Sequence, residues 1–326
     1  MQTEAWRWQV PGAPEQLQRA ALEVPPLDEF EVLVENRVIA FNPVDWKLIA
    51  SGHAAWQPGQ VPGVDGMGVV VAVGSGVHHW RIGSRVAYHT DLRQHGSFAR
   101  HTSVPARALL AVPEHLSDEA AAAFPCPGLT AWQAQAKLPD LRGESVLING
   151  AGSNVGRFAV CLSLTAGMRV FASAGSGHHD WLRQRGAQAA IDYRAPDWLE
   201  RLRVANGGEP FSAAIDLVSE EAARTLIPHL GYYGHLVSVL GRIECNPLPA
   251  FTHCLSLHEI ALGAQHAYGA DRQWQVLVKA GERMMQQLVT GELPLPPMRL
   301  GHFDELPQRL GEFRREGQGF KYLLRI

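Results

Sequence analysis

Paired cysteines are missing from this sequence. The four present, Cys126, Cys161, Cys245 and Cys254, include no C-x-x-C spacing. Neither a zinc ribbon nor a small disulfide framework can be built from them, and each reads as a small buried residue. No H-E-x-x-H occurs among the 15 histidines, and the neighbours His78–His79 and His178–His179 read as surface or loop positions rather than metal ligands. A basic excess is also lacking: 29 Lys and Arg are scattered among 32 Asp and Glu, for a formal net charge of -3. Nucleic acid is therefore not an expected partner. No apolar run approaches membrane-spanning length, and the opening MQTEAWRWQV has no basic segment followed by an apolar stretch. No membrane association is expected, and the reading is a cytoplasmic protein.

What is there is a chain of 326 residues with 46% hydrophobic and 19% charged side chains, too long for one compact core and ordinary enough for two globular domains. About the first 115 residues hold short β-type runs punctuated by Gly and Pro, such as EVLVENRVIAFNP, GVVVAVGSGVHHW and SFARHTSVPA, which predict an all-β, barrel-like unit. After HLSDEAAAAFP the pattern alternates apolar strands with amphipathic helices, the mark of a parallel sheet covered on both faces. Candidate strands are Ser145 to Asn149, Arg169 to Ser173, Ala189 to Asp192, Ser212 to Leu217, His235 to Leu240 and Leu255 to Leu262. Six such strands predict an α/β, doubly wound fold. A proline-rich stretch, GELPLPPMRLGHF, then leads to one helix and a last strand.

The segment LINGAGSNVGRFAV joins the first of these strands to a helix, but its glycines are spaced G-x-G-x-x-x-G, one residue longer than the dinucleotide fingerprint. The register follows from the helix. Val155, Phe158, Ala159 and Leu162 fall at i, i+3, i+4 and i+7, so the helix begins near Asn154 and Gly156 lies in its first turn. That is the place of the third fingerprint glycine, where helix and strand pack closely. Ala151 and Ser153 then take the first two positions, with Gly150 and Gly152 as additional hinges. Ser153 offers a hydroxyl to an anion already favoured by the helix N-terminus, so a pyrophosphate site is expected here.

Dinucleotide folds selective for NAD carry an acid about 20 residues past this loop to bind the ribose 2′-hydroxyl. The corresponding stretch is VFASAGSGHHDWLRQRG, where Ser173, Ala174, Gly175 and Ser176 offer no carboxylate and His178, His179 and Arg183 follow. An uncharged, donor-rich pocket near imidazole and guanidinium groups suits the 2′-phosphate of NADP. A structural alternative makes Ser176 the cap of the next helix and Asp180 an acid in its first turn.

The segments FNPVDWK, VPGVDGMGVVVAVGSGV, IGSRV, GSFARH, AAAFPCPGLTAWQA, LINGAGSNVG, GAQAAIDYR and GFKYLLRI, in that order, resemble the medium-chain dehydrogenase/reductase superfamily in its zinc-free quinone oxidoreductase (zeta-crystallin-like) branch. The resemblance implies a GroES-like β-barrel substrate domain from both chain ends, residues 1–118 and 296–326, and a Rossmann NADP-binding domain over 119–295. It implies hydride transfer from NADPH to a small electrophile, a quinone or an α,β-unsaturated carbonyl. Zinc alcohol dehydrogenases of the superfamily would carry a ligand histidine after the glycine of PGVD and an earlier ligand cysteine. Val64 and Asp65 follow Gly63 here, and Asn42 and Pro43 hold the earlier region, so no metal is expected.

By the same resemblance Asn42, Asp45 and Lys47 of NPVDWK are the expected catalytic group, Asn42 donating to the reduced oxygen and Lys47 holding the ribose or relaying a proton. The structural alternative for Asp45 and Lys47 is a surface ion pair, worth about 0 to 1 kcal/mol. Thr130 is expected beside the nicotinamide, and Gly152, Ser153, Asn154, Val155 and Gly156 along the phosphates. Ser173, Ser176, His179, Tyr193 and Arg194 are expected near the 2′-phosphate, with His179 replacing the family's usual lysine. Val218, Ser238 and Lys321 complete the expected cofactor contacts, and Tyr88 reads as packing. An enoyl-thioester reductase of the same fold and a non-catalytic NADPH-binding protein remain as alternatives. The sixth strand, at an open sheet edge, is expected to pair with its copy in a homodimer.

Overall fold

The computed structural model describes residues 1–316 and 319–326 and divides into two compact units, Met1–Leu129 with Gly263–Ile326, and Thr130–Leu262. In the first, the long strand Glu31–Ala40 is the organising element. It pairs antiparallel with Asp65–Val73, Lys321–Arg325 and His101–Pro105. The sheet continues through Arg85–His89 to Leu109–Ala111, and at its other end Met298–His302 pairs with Lys321–Arg325. Aromatic side chains fill the core: Phe41 packs edge-on against Phe98 at 5.6 Å between ring centroids, and Phe313 lies 5.3 Å from Tyr322. Such contacts stabilise beyond the apolar area that they bury.

The second unit is a six-stranded parallel sheet in the order Ala189–Ile191, Arg169–Ser173, Ser145–Asn149, Phe211–Asp216, Leu230–Ser238, Ser256–Glu259. Numbered along the chain this is 3-2-1-4-5-6, the doubly wound arrangement, in which ligands bind beyond the carboxyl ends of the strands where the order reverses. The first two strands have the expected bounds. The fifth begins earlier than expected, at Leu230, because the GYYG segment extends it with Tyr232 and Tyr233 exposed. The sixth is shorter than expected and does occupy the sheet edge.

Residues 119–129 and 263–295 cluster with the barrel unit, not with the parallel sheet where the sequence reading put them. The cause is the helix Asp271–Thr290, whose apolar face buries Trp274, Leu277, Gly281, Met284 and Met285. A Cβ on Gly281 would stand 2.8 Å from Leu129 Cδ2 and 2.9 Å from Leu110 Cδ2, so glycine lets these side chains pack directly on the helix. Glu282 accepts the backbone N–H of Ala111 at 3.0 Å. Among the described residues no helix is long and apolar enough to cross a membrane.

Candidate active site

In the barrel unit, the helix Pro43–Ser51 begins after Asn42 with proline in its first turn, where proline's fixed φ suits a helix start. Asn42 is the N-cap, yet its side chain does not cap. Its amide nitrogen donates to Asp65 Oδ2 at 2.8 Å and its oxygen accepts from Lys321 Nζ at 2.7 Å. Lys321 Nζ is also 3.4 Å from Asp65 Oδ2, and both side chains are fully buried. The backbone N–H of Cys126 donates to Asp65 as well, at 3.0 Å. Asp45 closes the group from beneath, accepting the Asn42 N–H at 2.6 Å and the Val64 N–H at 3.1 Å.

Burial dominates the electrostatics of this group. It pushes the Asp65 carboxyl up to about 6 against the pull of Lys321 and of Asn42. It pushes Asp45 up to about 8, against its two backbone hydrogen bonds and helped by the nearby Asp65 charge. Lys47 stands apart: it is exposed, its ammonium lies 5.8 Å from the Trp46 ring centroid, and among the described residues it has no ion pair. The structural alternative of an Asp45–Lys47 surface ion pair is therefore corrected, because two residues apart on a helix do not share a face, and Asp45 is turned inward instead. Asp65 is the member that sequence reasoning missed as a partner; its only signal was an acid in PGVD.

In the parallel-sheet unit the helix Asn154–Thr165 starts where expected, with Ser153 as its N-cap accepting the Gly156 N–H at 3.0 Å. Gly150 has φ of +84°, and a Cβ on Gly156 would lie 2.5 Å from the Gly150 carbonyl oxygen. That oxygen is backbone and cannot move aside, so the glycine is required by close packing of helix on loop. Ser153 satisfies one of the first-turn amides, leaving those of Asn154 and Val155 outside the intrahelical ladder. A loop with this geometry fits a dinucleotide phosphate.

A polar row crosses the carboxyl ends of the central strands, with Ser173, Asn149, Asp216 and Ser238 in register. Ser173 is fully buried and donates to Asn149 Oδ1 at 2.5 Å, while Asn149 donates to Asp216 Oδ1 at 2.6 Å. Ser238 donates to the Gly241 carbonyl at 2.8 Å. Burial raises the Asp216 carboxyl above its ordinary range, and this acid also accepts the Val218 N–H. Val218 is half exposed and touches the glycine loop, 3.1 Å from where a Gly150 Cβ would be. Thr130 is buried in the helix Pro125–Ala136.

Beyond the second strand, Ser176 is exposed and opens a short turn whose helix, His179–Arg185, has no side-chain cap. The capping alternative for Ser176 is corrected, whereas Asp180 does fall in the first turn. His179 Nε2 lies 2.9 Å from the Ala174 carbonyl oxygen. Tyr193 is exposed, with the Arg194 guanidinium 4.9 Å from its ring centroid, and Arg194 is 3.4 Å from Asp192. His178 and His179 are half-buried, in contrast to the exposed His78 and His79. Tyr88 is fully buried and donates to Asn36, as a packing residue does.

Residues 28–114 match the model of the alcohol dehydrogenase GroES-like domain. A trans-enoyl reductase, tazE, of Aspergillus terreus is 34% identical over 212 residues, covering 59% of this chain and 69% of its own. A mycocerosic acid synthase-like polyketide synthase of Mycobacterium tuberculosis is 31% identical over 235 residues, covering 70% of this chain, which thus spans only 11% of that relative's length. Quinone oxidoreductase of Pseudomonas syringae superposes with a TM-score of 0.85 at 22% identity, over 99% of this chain and 100% of that one. With its GroES-like segment, doubly wound sheet and glycine loop, the chain belongs to the medium-chain dehydrogenase/reductase superfamily.

Proposed function

We propose that this oxidoreductase is an NADPH-dependent, zinc-independent reductase of quinones or α,β-unsaturated carbonyls. The observation that carries the reading is the buried Asn42–Asp65–Lys321 cluster. An ammonium with three donors and an amide with two are held in place by one carboxylate. Asn42 and Lys321 each keep an N–H to donate, which suits them to an oxygen that gains negative charge as the neighbouring carbon is reduced. Asp65 positions both donors and offsets the ammonium, and Asp45 fixes the backbone that carries Asn42.

The glycine loop, with Asn154 and Val155 amides and the Ser153 hydroxyl, would hold the pyrophosphate of the cofactor. Once bound, NADPH supplies the hydride. The acceptor carbon must already be electron-poor, since the cluster's donors are nitrogen-borne and Asn42 takes the place of a metal ligand. A second reading, an enoyl thioester as the conjugated carbonyl, is favoured by the trans-enoyl reductase among the relatives.

The test is a panel of quinones, enones and enoyl thioesters followed by NADPH absorbance, before and after prolonged chelation. The expected result is oxidation with at least one class, unchanged by the chelator. Activity lost on chelation and restored by zinc would remove the zinc-independent assignment.

A further inference from the structure

The groups expected around the 2′-phosphate are largely committed elsewhere. The Ser173 hydroxyl is buried and donates to Asn149. His179 has Nε2 on the Ala174 carbonyl, so one of its two ring nitrogens is already engaged. Arg194 shares its charge with Asp192. A phosphomonoester carries close to two negative charges, and this set offers it little free positive charge.

Such charge lies one step away. Arg157, in the first turn of the glycine-loop helix, is 8% exposed, and its Nε has no hydrogen-bond partner. Its Nη2 reaches His178 Nδ1 at 3.5 Å, and its guanidinium lies 4.5 Å from the Trp181 ring centroid. Arg185 approaches the same ring at 6.0 Å. Among the described residues no carboxylate pairs with Arg157 or Arg185. Burial holds Arg157 below its ordinary range, and burial together with Arg157 holds His178 down, as expected where like charges gather without an anion.

The cluster abuts the nucleotide loop. A Cβ on Gly152 would stand 2.5 Å from His178 Cδ2 and 2.9 Å from its Cγ, so the imidazole lies against the turn between the first strand and its helix. A buried guanidinium without a counter-ion is costly to maintain, and its planar fork matches phosphate oxygens. We propose that Arg157, with His178 and supported by Arg185, is the anion subsite for the phosphomonoester on the cofactor's adenosine ribose, and so sets preference for NADPH over NADH. This rests on the NADPH reading above.

Titration by calorimetry or fluorescence tests it, using NADPH, NADH, adenosine 2′,5′-bisphosphate and ADP. The proteins are wild type, Arg157→Met, Arg157→Lys and Arg185→Gln, each checked for a cooperative melt. Arg157→Met keeps a side chain over Trp181 and should weaken NADPH and the bisphosphate at least about tenfold, the scale of one lost charge-assisted hydrogen bond. NADH and ADP should change less than about twofold. Arg157→Lys and Arg185→Gln should shift the same ratio by less, and they carry the test if Arg157→Met fails to fold. Equal losses for all four ligands would put Arg157 under the pyrophosphate or in the fold alone, and an unchanged ratio would remove it from the site. A wild type that binds NADPH and NADH equally would overturn the NADPH reading itself, whatever the variants do.

Discussion

Lys321 Nζ stands 2.7 Å from Asn42 Oδ1, although 279 positions separate the two residues. With Asp65 3.4 Å from the same nitrogen and both charged side chains wholly buried, the last strand of the chain is tied by a hydrogen bond to the cap of the first helix and by an ion pair to the strand Asp65–Val73. Removing one partner leaves the other charge unpaired away from water. Lys321→Met should therefore destabilise the protein by about 3–5 kcal/mol, and adding Asp65→Asn should recover part of the loss. Urea unfolding measures both. A single variant within about 0.5 kcal/mol of wild type would mean that water or a rearranged neighbour screens the pair.

Stability should fall as pH rises from about 7.5 to 8.5, and Asp45 is the reason. Its folded value lies at about 8 through burial, well above an ordinary carboxyl, so the folded state binds that proton more tightly and loses stability as it leaves. Asp65, raised to about 6, behaves likewise but has finished titrating by then. Burial lowers His89 and His266 to about 4 from 6.5, and their contribution is lost only as pH falls through that lower window. Above about pH 7.5 Asp45 acts alone among these four, because the unfolded histidines have lost their protons by then as well. Melting temperature against pH should slope downward there, and Asp45→Asn should flatten it. An equal slope in the variant would assign the effect to another group.

Ser153 is exposed but caps the glycine-loop helix. Ser153→Phe should cost about 1 kcal/mol through the lost cap and place a ring where a pyrophosphate has to approach. NADPH affinity, read by fluorescence titration, should drop while the variant remains folded. Unchanged affinity would place the pyrophosphate elsewhere.

The strand Ser256–Glu259 leaves one edge of the parallel sheet open, and an open edge is a liability unless covered or paired. A two-fold pairing of two such edges would close both at once. Light scattering at micromolar concentration should give twice the 35.7 kDa chain mass, and His258→Pro, which removes a ladder donor, should shift it towards monomer. A strictly monomeric wild type would exclude this interface.

Strands such as Ser145–Asn149 were legible because an unbroken apolar run followed by glycines has few other solutions. The start of the glycine-loop helix was legible because its apolar period allows one register. The membership of Asp271–Thr290 was not: an apolar face shows that a helix packs, not against which sheet. The link from Asn42 to Lys321 and Asp65 was hidden for a related reason, since three strand and helix ends meet only in the fold. Lys47 lies outside the buried cluster because a helix turns alternate residues to different surroundings, whereas a motif records only neighbours in sequence. Arg157 carries no signal of its own in the sequence, since only the fold brings Trp181 and His178 around it.

The most direct measurement of the proposed reaction is isotope tracing with NADPH deuterated at the nicotinamide C4. Reduction of a conjugated enone or enoyl thioester should place the deuterium at the β-carbon of the product, and Asn42→Ala should slow that transfer while leaving NADPH affinity near that of wild type. A folded, NADPH-binding protein that moves no deuterium to any enone or enoyl thioester and oxidises no NADPH with any quinone, or one that reduces the carbonyl carbon of an enone instead, would contradict the account.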